Sequence, residues 1–329
     1  MCISLLLGSY EEALNRPDGV TAIKVPAVRY EFVFGVTTSI RSPEYAGSMI
    51  RGAFGRALRK TACMTRQSDC KSCPLYRTCP YTAIFEAPPP MEGGIQKFSH
   101  IPNPYVIEPP EWGKHEYEVG EHFRFSLVLW GRARAQLALI IYAMQRAFSY
   151  DVGHGKAKLL SVAKSNGSER SEIIFTPAME RVTRHEQESI LAVPFDDMVT
   201  MTLETPMRLQ NNGRPLGPDL ITARALLMTL TRRASLLSAY QCGIPCSLNF
   251  NRLIEEGEKV ELKKHLAWRD WTRYSSRQQR QMSFGGVVGS IELCHLSPTW
   301  RIMLTLGLLT HVGKNSSFGL GRYRLEGKE

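Results

Sequence analysis

The chain carries His311-Val-Gly-Lys-Asn-Ser-Ser-Phe-Gly-Leu-Gly-Arg322 near its C-terminus, where Lys314 and Arg322 frame a glycine-rich loop just after a strongly apolar run. Glycine lets backbone approach a polyanion closely, so two cations beside exposed amides make a phosphate-bearing partner the first expectation. The loop, 313–322, would contact it through Gly313, Gly319 and Gly321, the side chains of Asn315 and Ser316, and Arg322. Its order is not that of a P-loop, and it follows a helical run where a dinucleotide fingerprint would follow a strand. The plain alternative is that these glycines end a helix and shape tight turns.

A second cluster is Trp268-Arg-Asp-Trp-Thr-Arg-Tyr-Ser-Ser-Arg-Gln-Gln-Arg280, in which Arg269, Arg273, Arg277 and Arg280 alternate with Trp268, Trp271, Tyr274 and Ser275. The four arginines share one face of a helix, and the first three also share one face of a strand. Guanidinium groups match phosphates bidentately and flat rings stack on unpaired bases, the mixture that single-stranded or hairpin RNA requires. The alternative is a solvated face with one buried tryptophan.

Four of the eight cysteines fall together as Cys63-x6-Cys70-x2-Cys73-x5-Cys79. Without an export signal, such a group is expected to hold metal rather than form disulfides. Zinc in a four-sulfur site is the first expectation, an iron–sulfur cluster the second; four protein ligands leave zinc no open position, so its role would be structural. Cys2, Cys242, Cys246 and Cys294 are scattered and read as small buried hydrophobes.

The net charge of +10, with 43% hydrophobic and 22% charged residues over 329 positions, describes a soluble two-domain protein with an acidic partner. Its apolar runs fall short of the roughly 20 residues that span a bilayer. Ile3–Leu7 is too short, and lacks the basic start, of a secretion signal. A cytoplasmic location and no membrane partner are expected.

Read together, Asp270-Trp-Thr-Arg-Tyr-Ser-Ser-Arg-Gln278, Phe284-Gly-Gly-Val-Val-Gly289, His311-Val-Gly-Lys314 and Phe318-Gly-Leu-Gly-Arg322 resemble the CRISPR repeat-processing endoribonucleases (Cas-six family) of the RAMP superfamily. The likeness covers about the last third of the chain. More loosely, Arg51-Gly-Ala-Phe-Gly-Arg56 and the cysteine segment resemble a cysteine-rich branch of that family, which adds Arg51 and Arg56 to the expected RNA contacts. The resemblance implies tandem ferredoxin-like domains, a CRISPR repeat RNA as partner, stem-loop or single-stranded, and a possible place in a multisubunit crRNA effector complex. Many relatives carry an active histidine near the first helix, whereas this sequence has none between Met1 and Ser99.

The elements needed to position these residues follow from periodicity. A strand at Val25–Val36, a helix from Ser42-Pro43 to about Lys60, a strand at Glu121–Trp130, a helix at Arg132–Phe148 and strands at Lys158–Val162 and Glu172–Phe175 fill an N-terminal domain, 1–190. It is interrupted by a cysteine-rich insertion at 61–80 and a proline-rich loop at 86–110. After a linker around His185–Pro194, a strand at Met198–Leu209, a helix at Asp219–Gln241, strands near Val260–Leu266 and Phe284–Leu293, a helix at Pro298–Thr310 and a strand at Gly321–Leu325 repeat the order over 195–329. The fold class is α+β: tandem ferredoxin-like, RRM-like domains.

Cleaving RNA without a catalytic metal needs a base for the ribose 2′-hydroxyl, positive charge on the phosphorane and an acid for the leaving 5′-oxygen. His311 is the expected base or acid, with Tyr274 as a hydroxyl partner and Lys314 as transition-state charge. Against this, Trp300, Leu304, Leu308 and His311 stand at helical spacing, so the imidazole could close an apolar stripe. The expected products are 2′,3′-cyclic phosphate and 5′-hydroxyl ends. The rivals are a non-catalytic RAMP subunit that binds the repeat handle and, more distantly, a DNA-binding or metal-cluster redox protein.

Overall fold

The computed structural model describes residues 22–89, 101–113, 115–165, 171–193, 196–244, 248–275 and 280–327. Ile3–Leu7, Cys2, Cys246 and Arg277 lie outside the described residues. The chain divides into two compact units, one holding 27–187 with 240–242, the other 22–26, 188–239 and 243–327. Strand β1 (Ala22–Val25) belongs to the second of these.

The first unit is built on β2 (Ala27–Thr38), in which Val28, Tyr30, Phe32, Phe34 and Val36 recur every second residue and are all buried in one core. After the two-residue strand β3 (Ile40–Arg41) comes helix α1 (Gly47–Ala62), which buries Ile50, Ala53, Phe54 and Leu58 at three-and-four spacing. It begins later than Ser42-Pro43 because Arg41 and Ser42 donate their amides to the carbonyls of Gly153 and His115, which keeps that stretch extended. Helix α2 (Pro80–Phe85) follows the cysteine segment.

Strand β4 (Tyr105–Glu108) is fully buried inside the stretch expected to be an irregular proline-rich loop. The gap between Pro104 and Pro109 is long enough for a strand, and the strand lies at the sheet edge, where flanking prolines are tolerated. The short β5 (Glu116–Tyr117), β6 (His122–Trp130), helix α3 (Leu137–Tyr150), β7 (Lys156–Ser165) and β8 (Glu172–Phe175) complete the unit. The antiparallel sheet runs β4-β6-β2-β7-β8, the split strand order of a ferredoxin-like fold with one added edge strand. Phe34 stacks on Phe148 of α3 with ring centroids 4.0 Å apart, fastening that helix to the sheet.

The stretch read as a linker contains β9 (Ser189–Ala192), which pairs antiparallel with β1 in the second unit. That unit continues through β10 (Val199–Met207), the short pair β11 (Gln210–Asn211) and β12 (Arg214–Pro215), helix α4 (Ala223–Gln241) and helix α5 (Phe250–Glu258). Sequence periodicity missed α5, whose amide cap, Arg252 N–H to the Asn249 side chain at 3.1 Å, precedes a mostly polar turn. Strands β13 (Glu261–Ser275) and β14 (Arg280–Cys294), helix α6 (Pro298–Thr310) and β15 (Tyr323–Gly327) follow. The sheet order β13-β14-β10-β15 is again the split order, so each unit is ferredoxin-like. Among the described residues no helix is long and apolar enough to cross a membrane.

Candidate nucleic-acid interface

The aromatic and basic cluster is strand, not helix. β13 and β14 pair without a break from Glu261↔Cys294 to Ser275↔Arg280, so both strands run well beyond the ends expected from their apolar cores. Alternation then places Arg269 and Trp271 on one face of β13, and Trp268 and Asp270 on the other; Arg273, Tyr274 and Ser275 are located here by backbone pairing alone. Arg280 opens β14 opposite Ser275.

Phe284-Gly285-Gly286 of β14 makes this arm a platform. A Cβ on Gly285 would collide with the Trp268 ring, which lies across the bare glycine while 39% of the residue stays exposed. The Trp268 indole donates to the Asp270 carboxylate at 2.9 Å, which fixes the ring's direction. A Cβ on Gly286 would press on Pro206 and the Arg208 side chain. The Phe284 ring packs on buried Trp271, and the Arg208 guanidinium sits 4.6 Å above its centroid. Burial lowers the Arg208 pKa from its ordinary value, yet an arginine in a protein keeps its charge at neutral pH.

Arg208 was not singled out from the sequence, because it fell inside the strand expected at Met198–Leu209. β10 instead shifts register between Leu203 and Met207. Pro206 supplies no amide to a ladder, and the irregular stretch becomes the seat of the glycine loop. Glu204 and Thr205 donate their amides to the Arg322 carbonyl, the Thr205 hydroxyl donates to the Gly319 carbonyl at 2.7 Å, and Gly321 N–H reaches the Pro206 carbonyl at 3.0 Å. Lys314 N–H donates to the Arg208 carbonyl at 2.8 Å, so loop, bulge and hairpin platform meet at Arg208.

Within the loop the expected residues have diverged in placement. Lys314 is exposed and Gly313 and Asn315 half-buried, whereas Ser316, Gly319 and Gly321 are buried, with the Ser316 hydroxyl donating to the Gly313 carbonyl. Arg322 is half-exposed and pairs with Glu204 at 2.7 Å. His311 closes α6 at φ 56° with its amide on the Gly307 carbonyl, and its side chain is fully buried. At that φ it leaves the helical path, so its burial does not come from extending the apolar stripe of α6. In the first unit, Arg51 stacks 4.4 Å over the Phe85 ring and Arg56 is exposed.

Trp268→Ala tests the platform. Stacking of one base on an aromatic ring is worth about 1–3 kcal/mol, or roughly 5- to 150-fold in affinity. Fluorescence anisotropy with a non-cleavable repeat RNA should show a loss in that range, with the melting temperature nearly unchanged; unaltered affinity would leave Trp268 a surface ring without a base.

The chain thus has two ferredoxin-like units, and in the second a glycine-rich loop is seated on the sheet beside the β13–β14 hairpin. Residues 201–323 match the family described as CRISPR-associated endoribonuclease Cas6, and residues 25–187 match a family described as an N-terminal domain. The likeness to the Cas6 family thus rests on the C-terminal part of the chain. The Cas6 product complex of Thermus thermophilus is 14% identical, aligns over 91% of this chain and 100% of that one, and has a TM-score of 0.55. A partial Cas6-RT-Cas1–Cas2 complex is 13% identical over 91% of this chain and 46% of that one, with a TM-score of 0.52. These likenesses are of fold. No curated protein matches the chain.

Proposed function

We propose that this chain binds CRISPR repeat RNA and cuts it without a catalytic metal, the ribose 2′-hydroxyl attacking the adjoining phosphate. The observation that carries this reading is the junction at Arg208, whose carbonyl holds the amide of the exposed Lys314 and whose guanidinium packs on Phe284 of the hairpin; Trp268 is exposed on the hairpin's other face. Bases would stack on Trp268, and arginines of the hairpin would hold phosphates. Lys314 would stabilise charge on the phosphorane, and Tyr274 would serve as the hydroxyl partner. The Cas6 match over 201–323 supports CRISPR RNA as the partner, and the Cas6-RT-Cas1–Cas2 complex of similar fold extends the proposal to a larger assembly.

His311 enters as the proton-transfer group, and its burial sets the condition that the imidazole becomes accessible when RNA binds. The test is a labelled repeat RNA incubated in EDTA, with wild type and His311→Ala side by side. Wild type should give a 2′,3′-cyclic phosphate and a 5′-hydroxyl. His311→Ala should bind and not cut; cutting at the normal rate removes His311 from the chemistry. The buried imidazole also favours a second reading, a RAMP subunit that holds the repeat handle, and tight binding by wild type without any product would establish it.

A further inference from the structure

The segment Cys63–Cys79 has no strand or helix of its own, and none of its residues is buried. Ordering a backbone residue costs roughly 1–2 kcal/mol, so a stretch of this length without a core needs a staple. It is nevertheless held at defined points. Cys63 is the C-cap of α1, with its amide on the Arg59 carbonyl at 2.9 Å, and Cys79 is the N-cap of α2. Between them Cys73 N–H donates to the Cys70 carbonyl at 3.2 Å, closing a turn that the Asp69 carboxylate braces by accepting Lys71 and Ser72 amides. The Arg59 guanidinium reaches back from α1 to the Gln67 and Ser68 carbonyls at 2.6 and 2.7 Å.

All four cysteines line one small cavity, together with Asp69, Tyr76, Tyr81 and Thr82. None is in a disulfide. Two sulfurs already have polar neighbours, Arg66 N–H donating to Cys63 Sγ at 3.2 Å and the Thr65 hydroxyl 3.3 Å from Cys73 Sγ. Arg66 takes φ 56°, a left-handed conformation that a non-glycine residue adopts at a cost and that brings its amide to the sulfur. Among the described residues no three metal-binding side chains yet converge on one point. Binding therefore requires the thiols to turn toward one another within the cavity they line.

We propose that Cys63, Cys70, Cys73 and Cys79 bind one zinc ion in a closed, four-sulfur structural site that staples the connection between α1 and α2. Each thiol releases its proton to solvent as its sulfur joins the metal, and the amide on Cys63 stabilises the resulting thiolate. Four protein ligands fill the tetrahedron, so the ion has no position for water or RNA.

The full-length chain, purified under reducing conditions without chelator, should carry about one zinc by elemental analysis. Cys70→Ser/Cys73→Ser should carry none. Since that variant could misfold, wild type stripped of metal is also titrated with cobalt, which should develop the visible bands of tetrahedral thiolate coordination and lose them to added zinc. Chelated protein should be cut by protease within 64–78 and protected again by zinc. A chain that holds no zinc and gives no cobalt band, or one whose sulfurs hold iron or form two disulfides, overturns the proposal; the RNA reading is unaffected by either result.

Discussion

A repeat RNA with a single 2′-deoxyribose on the 5′ side of the scissile phosphate is expected to stay bound and uncut. One hydroxyl contact to the protein is worth about 0.5–1.5 kcal/mol, so binding should weaken by no more than roughly tenfold. Cleavage loses its nucleophile, a larger effect than losing one proton-transfer group, which alone spans about 10²- to 10⁴-fold. The platform suits this chemistry. Lys314 and Trp268 are exposed there, and the carboxylates of Glu204 and Asp270 are engaged, Glu204 with Arg322 and Asp270 with the Trp268 indole. A route that activates water would cut the deoxy substrate as well as the natural one. Equal cutting of both in a single-turnover assay would therefore end the internal-attack reading.

What the sequence made legible was element order and the two motifs. Period-two burial in β2 and three-and-four burial in α1 are strong signals because one face of each is wholly apolar, and Pro298–Thr310 matches α6 to the residue. What stayed hidden depended on tertiary pairing. β4 is short and bracketed by prolines, β9 makes sense only beside β1, and the outer arm of the hairpin, polar in sequence, is a strand only through its pairing with its partner.

The site followed the same division. Residue type pointed to the glycine loop and the Trp268 segment, but type cannot distinguish a glycine that meets a ligand from one that makes room for its own protein. Gly285 makes room for Trp268, and Gly286 for Pro206 and Arg208. Arg208 left no sequence signal, because the register shift that brings it between loop and hairpin comes from pairing with β14 and the loop, not from local propensity.

Gly321→Ala carries the largest expected effect on the loop itself. At φ +72° a non-glycine residue costs about 1–2 kcal/mol. The added Cβ would also point into the carbonyl of Val312, which is backbone and cannot swing aside like a side-chain tip. Relieving that clash breaks the Val312 amide's bond to Gly321 or the Gly321 amide's bond to Pro206, each 3.0 Å, and a buried group left unpaired costs about 1–3 kcal/mol. Together these reach roughly 3 kcal/mol, which at about 2–4 °C per kcal/mol lowers the melting temperature by about 10 °C. Cutting should fall with it, since Lys314 hangs from the same turn. Gly217→Ala is the control: its Cβ would enter open space at φ −73°, and its effect should stay within about 0.5 kcal/mol. If Gly321→Ala melts with wild type while cleavage alone is lost, the glycine is there for the RNA rather than for the turn.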